Sequence, residues 1–417
     1  MKKPELLSPA GNLEKLKIAL AYGADAVYGG VSHFSLRIRS GKEFTYESFK
    51  EGIDYAHSLG KKVYVTINGF PFNSQIGLLK KHIEKMRDLN PDAFIVSTPG
   101  VIKLSKQIAP DIPLHLSTQA NVLNYLDAEA FYEMGVSRII AAREISLKDL
   151  IEIKKHLPKL EIEIFVHGSM CFAYSGRCLI SSLQSGRVPN RGSCANDCRF
   201  PYTLYAENEE SGVLMKIEED ENGTFIMNAK DLNLSLHLEE ILKSGVIDSL
   251  KIEGRTKSAY YAGITAKVYR EAIDDFFDGK FEGERYYKEL LTTKHRGFSD
   301  GYLIHRPYEK LNTQKLDSSI SDGEKQVYAL IDESGEFFLA KDKVEPNVEY
   351  EIVLPNSFKL KRCSNEIGSI YERDFRYFIK FNKIETKNGK ILTAVHSGNQ
   401  NLIKLPCKLP PYTFFRK

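Results

Sequence analysis

The chain has 417 residues, with 58 lysines and arginines against 55 aspartates and glutamates and a formal net charge of +3. This length suits one large domain plus a smaller one, and so small a charge requires any nucleic-acid binding to come from a local basic patch. No run of about 18 or more apolar residues is present, so no membrane span is expected. The N-terminal string MKKPELLSPAGN has two lysines without an apolar core behind them, which is not the pattern of a signal peptide, and we expect a cytoplasmic location.

Eight short apolar segments predict eight β-strands, and polar residues or glycines follow most of them. The predicted strands are residues 5–8, 26–28, 62–67, 93–96, 114–116, 138–141, 162–166 and 249–252. Amphipathic stretches that predict helices separate most of them, among them residues 45–58, 76–89, 127–134 and 147–156. Strands that alternate with helices indicate a parallel sheet, and eight such units favour the α/β class and a closed TIM-like (β/α)8 barrel.

A doubly wound open sheet is the alternative to a barrel. It would call for a Gly-rich dinucleotide fingerprint after the first strand, but that turn reads SPAGN. The sequence also contains no Walker A, H-E-x-x-H or G-x-S-x-G motif. We therefore predict a barrel rather than a nucleotide-binding open sheet.

The interval between the seventh and eighth predicted strands exceeds 80 residues, about twice the length of any other. We predict an insertion over residues 168–230, in which a cysteine-rich loop is followed by β-hairpins with the strings YTLYAE, VLMKI and TFIMN. The loops that follow barrel strands meet on the face where active sites lie, so we expect an enzyme whose site combines the ends of strands six, seven and eight. Its candidate residues beside the cysteine loop are His167, Arg143, Glu253 and Arg255.

Four of the six cysteines lie within 28 residues, in the spacing C-x6-C-x15-C-x3-C, and they are Cys171, Cys178, Cys194 and Cys198. In a reducing compartment, clustered cysteines more often bind metal or perform redox chemistry than form disulfides. Structural zinc sites usually contain C-x2-4-C pairs, which only the last two cysteines match, whereas the spacing of iron–sulfur ligands varies more. An iron–sulfur cluster is the favoured interpretation, and zinc, disulfides or unliganded thiols stay open.

Four arginines within the cysteine loop and two cysteines outside it also need an interpretation. Arginines 177, 187, 191 and 199 interleave with the cysteines, where they could offset thiolate charge, meet an anionic substrate or simply be solvated. The remaining cysteines, Cys363 and Cys407, are far from the cluster, and we expect them to be small core residues or surface thiols.

The string HGSMCFAYSGRC, residues 167–178, followed by NRGSC and CRFPY, resembles the signature of the collagenase-like peptidase family U32. The further strings KIEGR, NAKDL and HRGFSDGY extend the resemblance over nearly the whole chain. The resemblance implies RNA-modifying enzymes that hydroxylate tRNA or ribosomal RNA without O₂, and other members act on ubiquinone precursors. Some members bind a four-iron (4Fe-4S) cluster through cysteines of this region, and an older peptidase label is attached to the same family.

The resemblance also implies roles for individual residues. Some relatives carry a cysteine just after the Asp-Leu of the NAKDL-like string, but Asn233 occupies that position here. The expected cluster ligands are therefore Cys171, Cys178, Cys194 and Cys198. The branch that acts on tRNA is thought to take its hydroxyl from prephenate, a dicarboxylate that Arg143 and Arg255 could bind through bidentate contacts. Arg37 and Arg39 are weaker candidates for the same task.

Other polar residues near the strand ends have more than one interpretation. His167 could donate or accept a proton, or adjoin the cluster, and a structural histidine fits the sequence equally well. Candidate hydrogen-bond donors at the barrel mouth are Asn68, Ser117 and Gln119. The alternative to substrate binding is a set of structural ion pairs, Arg143 with Glu144 and Glu253 with Arg255 or Lys251.

From about residue 325, strings such as VYALI, EFFLA, VEYEIVL, FRYFIKF and ILTAV predict a small all-β domain, a barrel, over residues 324–417. Basic and aromatic residues alternate there, namely Lys359, Lys361, Arg362, Arg373, Phe375, Arg376, Tyr377, Phe378, Lys380 and Lys383. Such a surface can bind RNA through phosphate contacts and base stacking. The alternative is that the aromatic rings form the core of the domain and the lysines its solvated face.

The sequence as a whole predicts a catalytic barrel over residues 1–310 and a second domain that could bind RNA. The resemblance implies oxygen-independent hydroxylation of the wobble uridine of tRNA to 5-hydroxyuridine, with prephenate as co-substrate and a cysteine-bound iron–sulfur cluster. Three alternatives stay open: a peptidase, as the family label states, an rRNA hydroxylase of the same family, or a non-catalytic RNA-binding protein stabilised by zinc.

Overall fold

The computed structural model describes residues 1–31, 34–35, 44–171, 173–178, 180–187, 189, 193–200, 202–210, 212–217, 229–305, 315, 321–355 and 358–417. Seven strands precede the cysteine loop, namely β1 (Glu5–Pro9), β2 (Ala26–Gly29), β3 (Lys62–Ile67), β4 (Ala93–Val96), β5 (Leu114–Leu116), β6 (Arg138–Ile140) and β7 (Glu161–Gly168). After the loop come β8 (Leu204–Asn208), β9 (Val213–Ile217), β10 (Asp231–Asn233), β11 (Ser249–Ile252) and β12 (Phe298–Ser299).

The parallel barrel consists of β1 to β7 and β11. Each strand pairs with its neighbour in sequence, and β11 closes the ring because it pairs in parallel with both β1 and β7. The strands are almost wholly apolar and buried, as the four buried residues of β4 illustrate, because helices cover the outer face of a closed parallel sheet. All eight predicted barrel strands are confirmed, with bounds that differ by at most two residues.

Ten helices are present in the described residues: α1 (Leu13–Ala21), α2 (Tyr46–Ser58), α3 (Ile76–Asp88), α4 (Pro99–Ile108), α5 (Tyr125–Glu133), α6 (Leu147–His156), α7 (Ile180–Ser185), α8 (Leu238–Lys243), α9 (Ala259–Phe277) and α10 (Gly283–Leu290). The side chains of Thr45, Ser146 and Ser258 each accept a hydrogen bond from a backbone N–H in the first turn. Asn124 caps α5 in the same way, which is why that helix starts two residues before the predicted residue 127. Among the described residues, no helix combines the length and the apolar character needed to cross a bilayer.

The insertion between β7 and β11 contains structure that the sequence predicted only in part. The predicted hairpin of YTLYAE and VLMKI is confirmed, since β8 and β9 pair antiparallel, while the third predicted strand, residues 224–228, lies outside the described residues. Strand β10 was not predicted. It runs antiparallel to the end of β7, with Asn233 opposite His167, and pairs in parallel with β12. The short β10–β12 pair thus extends the barrel wall beside β7.

The C-terminal part of the chain forms an antiparallel sheet of eight strands, namely β13 (Val327–Ile331), β14 (Phe337–Ala340), β15 (Glu349–Val353), β16 (Cys363–Ser364), β17 (Gly368–Arg373), β18 (Arg376–Phe381), β21 (Ile403–Lys404) and β22 (Phe414–Arg416). Their order in the sheet is β16-β17-β18-β15-β22-β13-β14-β21. Two further short strands, β19 (Ile384–Glu385) and β20 (Ile391–Leu392), pair with each other. The all-β domain is confirmed, as a half-barrel. The predicted boundary between residues 310 and 324 falls largely outside the described residues and stays a prediction.

The half-barrel packs on the outer helices of the parallel barrel. The ring of Phe414 lies 5.8 Å from that of Tyr22 and 5.3 Å from that of Tyr260, between centroids. Arg416, whose side chain is 2% exposed, binds Glu351 of its own sheet and also Glu289 at the end of α10. The contact therefore combines aromatic packing with a buried ion-pair network.

Candidate active site

A cavity of about 200 Å³ opens at the carboxyl ends of the barrel strands, the face on which TIM-barrel enzymes form their active sites. Residues just beyond β3, β5, β6 and β11 line it, and the cysteine loop forms another part of its wall. Three of the four candidate residues named from the strand ends, Arg143, Glu253 and Arg255, are part of this lining. The expected convergence on one site is therefore present for these three residues.

The four clustered cysteines, Cys171, Cys178, Cys194 and Cys198, all line the same cavity. Each is partly buried, and none is in a disulfide. Burial raises the pKa of the Cys178 and Cys198 thiols, and neighbouring cysteines raise it further because thiolates repel one another. A bound cation or cationic cluster would relieve this repulsion, and its binding would release protons from the thiols.

Two contacts tie the cysteine loop to the barrel. Glu144, just after β6, accepts hydrogen bonds from both the backbone N–H and the hydroxyl of Ser175, the first of them 2.6 Å long. Arg177 donates from Nε to the carbonyl oxygen of Gln119 at 3.0 Å. Ser175 has φ +41°, an unusual value for a serine, and the two bonds to Glu144 stabilise that turn between Cys171 and Cys178.

Within the loop, short polar contacts hold α7 against the turn that carries the last two cysteines. The hydroxyl of Ser181 accepts from the N–H of Ala195 at 3.0 Å, and Ser185 donates to Asp197 at 3.2 Å. The Tyr202 hydroxyl donates to the carbonyl of Asp197 at 2.7 Å. These contacts set the position of Cys194 and Cys198 relative to the rest of the loop.

A buried charged group lies beside the cysteines, and sequence reasoning assigned no role to it. Arg296 donates to Asp231 and, from Nε, to the carbonyl of Ala229 at 3.1 Å, and Lys257 Nζ lies 3.7 Å from Asp231. Burial lowers the pKa of both Lys257 and Arg296, while these two cations keep the pKa of Asp231 low although its burial opposes this. Asp231 and Arg296 stand in the strings NAKDL and HRGFSDGY, which were noted only for their resemblance.

Arg143 and Glu253 form an ion pair across the cavity wall, between the ends of β6 and β11. The guanidinium of Arg143 also lies over the ring of Phe165, 4.0 Å from its centroid. The suggested pair of Arg143 with Glu144 is wrong, because Glu144 binds Ser175, and Lys251 pairs with Glu163 at 2.7 Å. Among the described residues, the buried Nε–H of Arg143 is a hydrogen-bond donor without an acceptor.

Arg255 lies on the cavity wall and is oriented by two hydroxyl groups. Its Nη1 donates to Ser35 Oγ at 2.7 Å and to Thr66 Oγ1 at 3.1 Å. Gly30 sits directly against these hydroxyls, since a Cβ atom there would approach Thr66 Oγ1 to 2.4 Å. The weaker candidates Arg37 and Arg39 lie outside the described residues.

Three polar side chains predicted at the barrel mouth form one hydrogen-bonded group. Gln119 Oε1 accepts from Ser117 Oγ at 2.8 Å and from Asn68 Nδ2 at 3.2 Å. All three line the cavity. The group offers a ligand polar contacts in the same cavity as the two arginines.

His167 lies in the core behind the cavity wall and is not part of the cavity lining. Its side chain is packed among Tyr261, Tyr269 and Phe298, with ring centroids 5.4 to 5.7 Å apart. Burial lowers its pKa to about 3, so the imidazole is neutral near pH 7. This surrounding favours the structural interpretation of His167 over proton transfer to a ligand in the cavity.

The aromatic residues of the half-barrel differ in how far they are buried. Phe381 is buried in the core of the sheet, whereas Tyr377 and Phe378 are half-buried. Phe375 is almost wholly exposed. Cys363 and Cys407 pack at the edge of the same core, as expected for thiols outside the cluster.

The model of Peptidase family U32 matches residues 11–313, which cover the cysteine loop and all of the barrel strands after β1. The chain belongs to this family. In this U32 protein the matched range contains every cavity residue described above, and the half-barrel from β13 onward lies beyond it.

Relatives of this U32 chain are similar over most of its length. "tRNA hydroxylation protein P" of Helicobacter pylori strain 26695 is 61% identical over 417 residues, which cover 100% of this chain and 99% of that protein. The protein of the same name from Escherichia coli K12 is 38% identical over 412 residues, covering 88% of this chain and 90% of that protein. A third relative, "23S rRNA 5-hydroxycytidine C2501 synthase" of Escherichia coli K12, is 32% identical over 311 residues, 72% of this chain and 45% of that protein.

Proposed function

We propose that this protein hydroxylates the wobble uridine of tRNA to 5-hydroxyuridine without O₂, using prephenate as the hydroxyl donor and a cysteine-bound 4Fe-4S cluster. The observation that carries the proposal is the cavity itself, in which four thiols lie beside two arginines. The similarity along nearly the full length to proteins named for tRNA hydroxylation supports the choice of substrate.

The donor set fits an iron–sulfur cluster that Cys171, Cys178, Cys194 and Cys198 would hold. All four thiols line the same cavity, and none of them is in a disulfide. A single zinc ion needs its thiolates about 2.3 Å away on all sides, whereas a four-iron cube separates its ligands more widely. Lys257 and Arg296 would offset the negative charge of such a cluster. When bound, it would supply Lewis acidity or an electron-transfer centre.

The arginines would bind and orient prephenate. Arg143 is held in place by Glu253 and by the ring of Phe165, and Arg255 by the hydroxyls of Ser35 and Thr66. Guanidinium groups bind carboxylates through paired, charge-assisted hydrogen bonds, and prephenate carries two carboxylates. Asn68 and Gln119, which line the same cavity, can hydrogen-bond the remaining polar groups of a ligand.

A peptidase activity fits the cavity less well. A cysteine peptidase needs a base, usually histidine, within hydrogen-bond reach of its thiol. Among the described residues, no histidine lines the cavity, and His167 is buried behind its wall. An rRNA substrate is the second candidate, since one relative is named for 5-hydroxycytidine in 23S rRNA.

The test is nucleoside mass spectrometry of tRNA and rRNA from cells that lack the gene, complemented with variants. Loss of 5-hydroxyuridine from tRNA, its return with the wild type and its absence with Cys171→Ala or Cys178→Ala would support the proposal. The matched control is the Cys363→Ala, Cys407→Ala double variant, which leaves the cavity thiols intact and should restore the modification. If the deletion leaves 5-hydroxyuridine in tRNA unchanged but removes a hydroxylated nucleoside from rRNA, the substrate is rRNA instead.

The ligand set is tested separately on purified protein. After anaerobic reconstitution, the wild type and the Cys363, Cys407 double variant should contain about four iron and four sulfide per chain. Cys171→Ala and Cys178→Ala should lose most of the brown absorbance. One zinc per chain and no sulfide would contradict the cluster.

A further inference from the structure

The hairpin of β17 and β18 ends in a two-residue turn made of Asp374 and Phe375. Arg373 pairs directly with Arg376 across the turn, and the two central residues have φ +51° and +60°. Two-residue turns with positive φ at both positions favour Asn-Gly or Asp-Gly, because a side chain beyond Cβ is crowded there. For an ordinary L-residue this conformation is unfavourable, because Cβ comes too close to the following carbonyl oxygen. A glycine in place of Phe375 would therefore suit the fold better.

Burial does not compensate for this backbone cost. Phe375 is 97% exposed, more than any other large apolar side chain in the described residues. In the same hairpin Phe381 is fully buried and Phe378 is half-buried, so the core of the half-barrel is complete without the ring of Phe375. It is the combination of a strained backbone with an exposed ring that marks Phe375 as a candidate for contact with a partner.

The surface next to the turn suits a planar, negatively charged partner. The guanidinium of Arg373 lies 4.3 Å from the ring centroid of Phe378, and the rings of Tyr371 and Phe378 are stacked at 6.1 Å with an angle of 24°. Arg376 is 56% exposed. Rings and guanidinium planes arranged in this way are typical of proteins that bind unpaired nucleotides.

Charge points to the same kind of partner. Residues 324–417 contain 16 lysines and arginines against 12 acidic residues, whereas the rest of the chain has 42 against 43. The positive excess of the protein is therefore concentrated in the half-barrel. A polyanion such as RNA would be attracted to this domain rather than to the barrel.

A chain of ion pairs connects the hairpin to the rim of the cavity. Arg376 donates to Glu351 at 3.2 Å, and Glu351 also binds Arg416. Arg416 in turn donates to the Tyr260 hydroxyl at 2.9 Å, in the first turn of α9. Helix α9 begins two residues after Lys257, which lines the cavity. The turn end of the hairpin is thus connected to the same end of the barrel as the cavity.

We propose that Phe375 stacks on an unpaired base of the RNA loop whose neighbouring uridine enters the barrel cavity. This inference rests on the proposed function and specifies how the RNA is held. The positive-φ turn projects the ring into solvent, where a base can cover it, and Arg376 lies next to it for phosphate contact. Stacking on an aromatic side chain tolerates any base, so Phe375 contributes affinity rather than sequence preference.

The experiment measures tRNA affinity and thermal stability for the full chain with Phe375→Gly, Phe375→Tyr and the control Ile391→Ala. Ile391 is another exposed apolar residue of the half-barrel, 64% exposed and remote from the turn in sequence. We expect Phe375→Gly to weaken tRNA binding about tenfold or more. Its melting temperature should be equal or higher, because glycine relieves the positive φ. Phe375→Tyr and Ile391→Ala should bind as the wild type does.

Two outcomes would overturn the inference. One is wild-type tRNA affinity for Phe375→Gly, and the other is a loss of affinity together with a lower melting temperature, which would indicate a structural role. If the wild type itself neither binds tRNA nor restores 5-hydroxyuridine in the deletion strain, the proposed function fails and the stacking role with it. If the wild type binds tRNA and restores 5-hydroxyuridine, and the Phe375→Gly variant does both equally well, only the stacking role is overturned.

Discussion

Glu144 and Ser175 join the end of β6 to the cysteine loop, because both the backbone N–H and the hydroxyl of Ser175 donate to the Glu144 carboxylate. Ser175 lies midway between Cys171 and Cys178 and has φ +41°. The carboxylate thereby holds an unfavourable turn that brings the first two thiols of the loop to the same cavity.

Glu144→Ala should loosen this loop without unfolding the barrel. We expect faster reaction of the cavity thiols with a thiol reagent and a lower iron content after reconstitution, since the turn at Ser175 loses both of its charge-assisted bonds. Ser175→Ala removes only one of the two and should have the smaller effect. Glu133→Ala, at the end of α5, is the control. Equal thiol reactivity in Glu144→Ala and Glu133→Ala would contradict the role of Glu144.

Arg143→Gln and Arg255→Gln should each weaken prephenate binding by about 10- to 100-fold, the effect of removing a hydrogen-bond donor from a charged ligand. Isothermal calorimetry on purified protein measures this without requiring turnover. Arg187→Gln serves as the control, because Arg187 is an exposed arginine of the cysteine loop that does not line the cavity. Unchanged prephenate affinity in both cavity variants would contradict the binding role of these arginines.

Arg416→Met should destabilise the protein by about 3–5 kcal/mol, because it leaves the carboxylates of Glu351 and Glu289 at the domain contact without their common cation. Arg376→Met is the matched control, since Arg376 binds the same Glu351 but is 56% exposed, and we expect less than about 1 kcal/mol. The chain has no tryptophan, so urea unfolding is followed by circular dichroism. Similar losses in the two variants would mean that burial of Arg416 is unimportant.

Stability should fall in acid partly because of His167. Burial lowers its pKa to about 3 from the ordinary 6.5. Below pH 6.5 the imidazole is therefore protonated in the unfolded chain but stays neutral in the folded chain. The contribution is fully present above about pH 6.5 and is lost at about 1.4 kcal/mol per pH unit as the pH falls towards 3. Burial also lowers the pKa of His115, which adds a slope of the same sign.

His167→Gln should therefore reduce the pH dependence of the unfolding free energy between pH 6.5 and 4, whatever its effect at pH 7. Urea unfolding at several pH values measures the slope directly. His396→Gln, at an exposed position, serves as the control variant. A slope equal to that of the wild type in His167→Gln would show that this imidazole does not titrate between the folded and unfolded states.

The barrel could be predicted because each of its strands is a short, mainly apolar segment followed by polar residues or glycine. Residues 62–67, 93–96, 114–116 and 249–252 were predicted with their final bounds for this reason. Strand β10 was missed because DLN is short and polar, and only its pairing with His167 and Gly168 makes it a strand. Strand β22 was missed because a three-residue segment at the C-terminus carries no periodicity, although Phe414 and Phe415 become core residues.

The candidate site, like the fold, could be predicted only in part. The sequence by itself determined which residues follow each barrel strand, and topology requires the ends of parallel strands to share one face, so Arg143, Glu253, Arg255 and the cysteines could be placed together. Only the tertiary structure decided which charged groups pair. Arg143 binds Glu253 rather than the adjacent Glu144, and His167 is buried behind the cavity wall, because partners from distant strands approach to hydrogen-bond distance only when the barrel closes. Pairing depends on distances in space, which spacing along the chain does not contain.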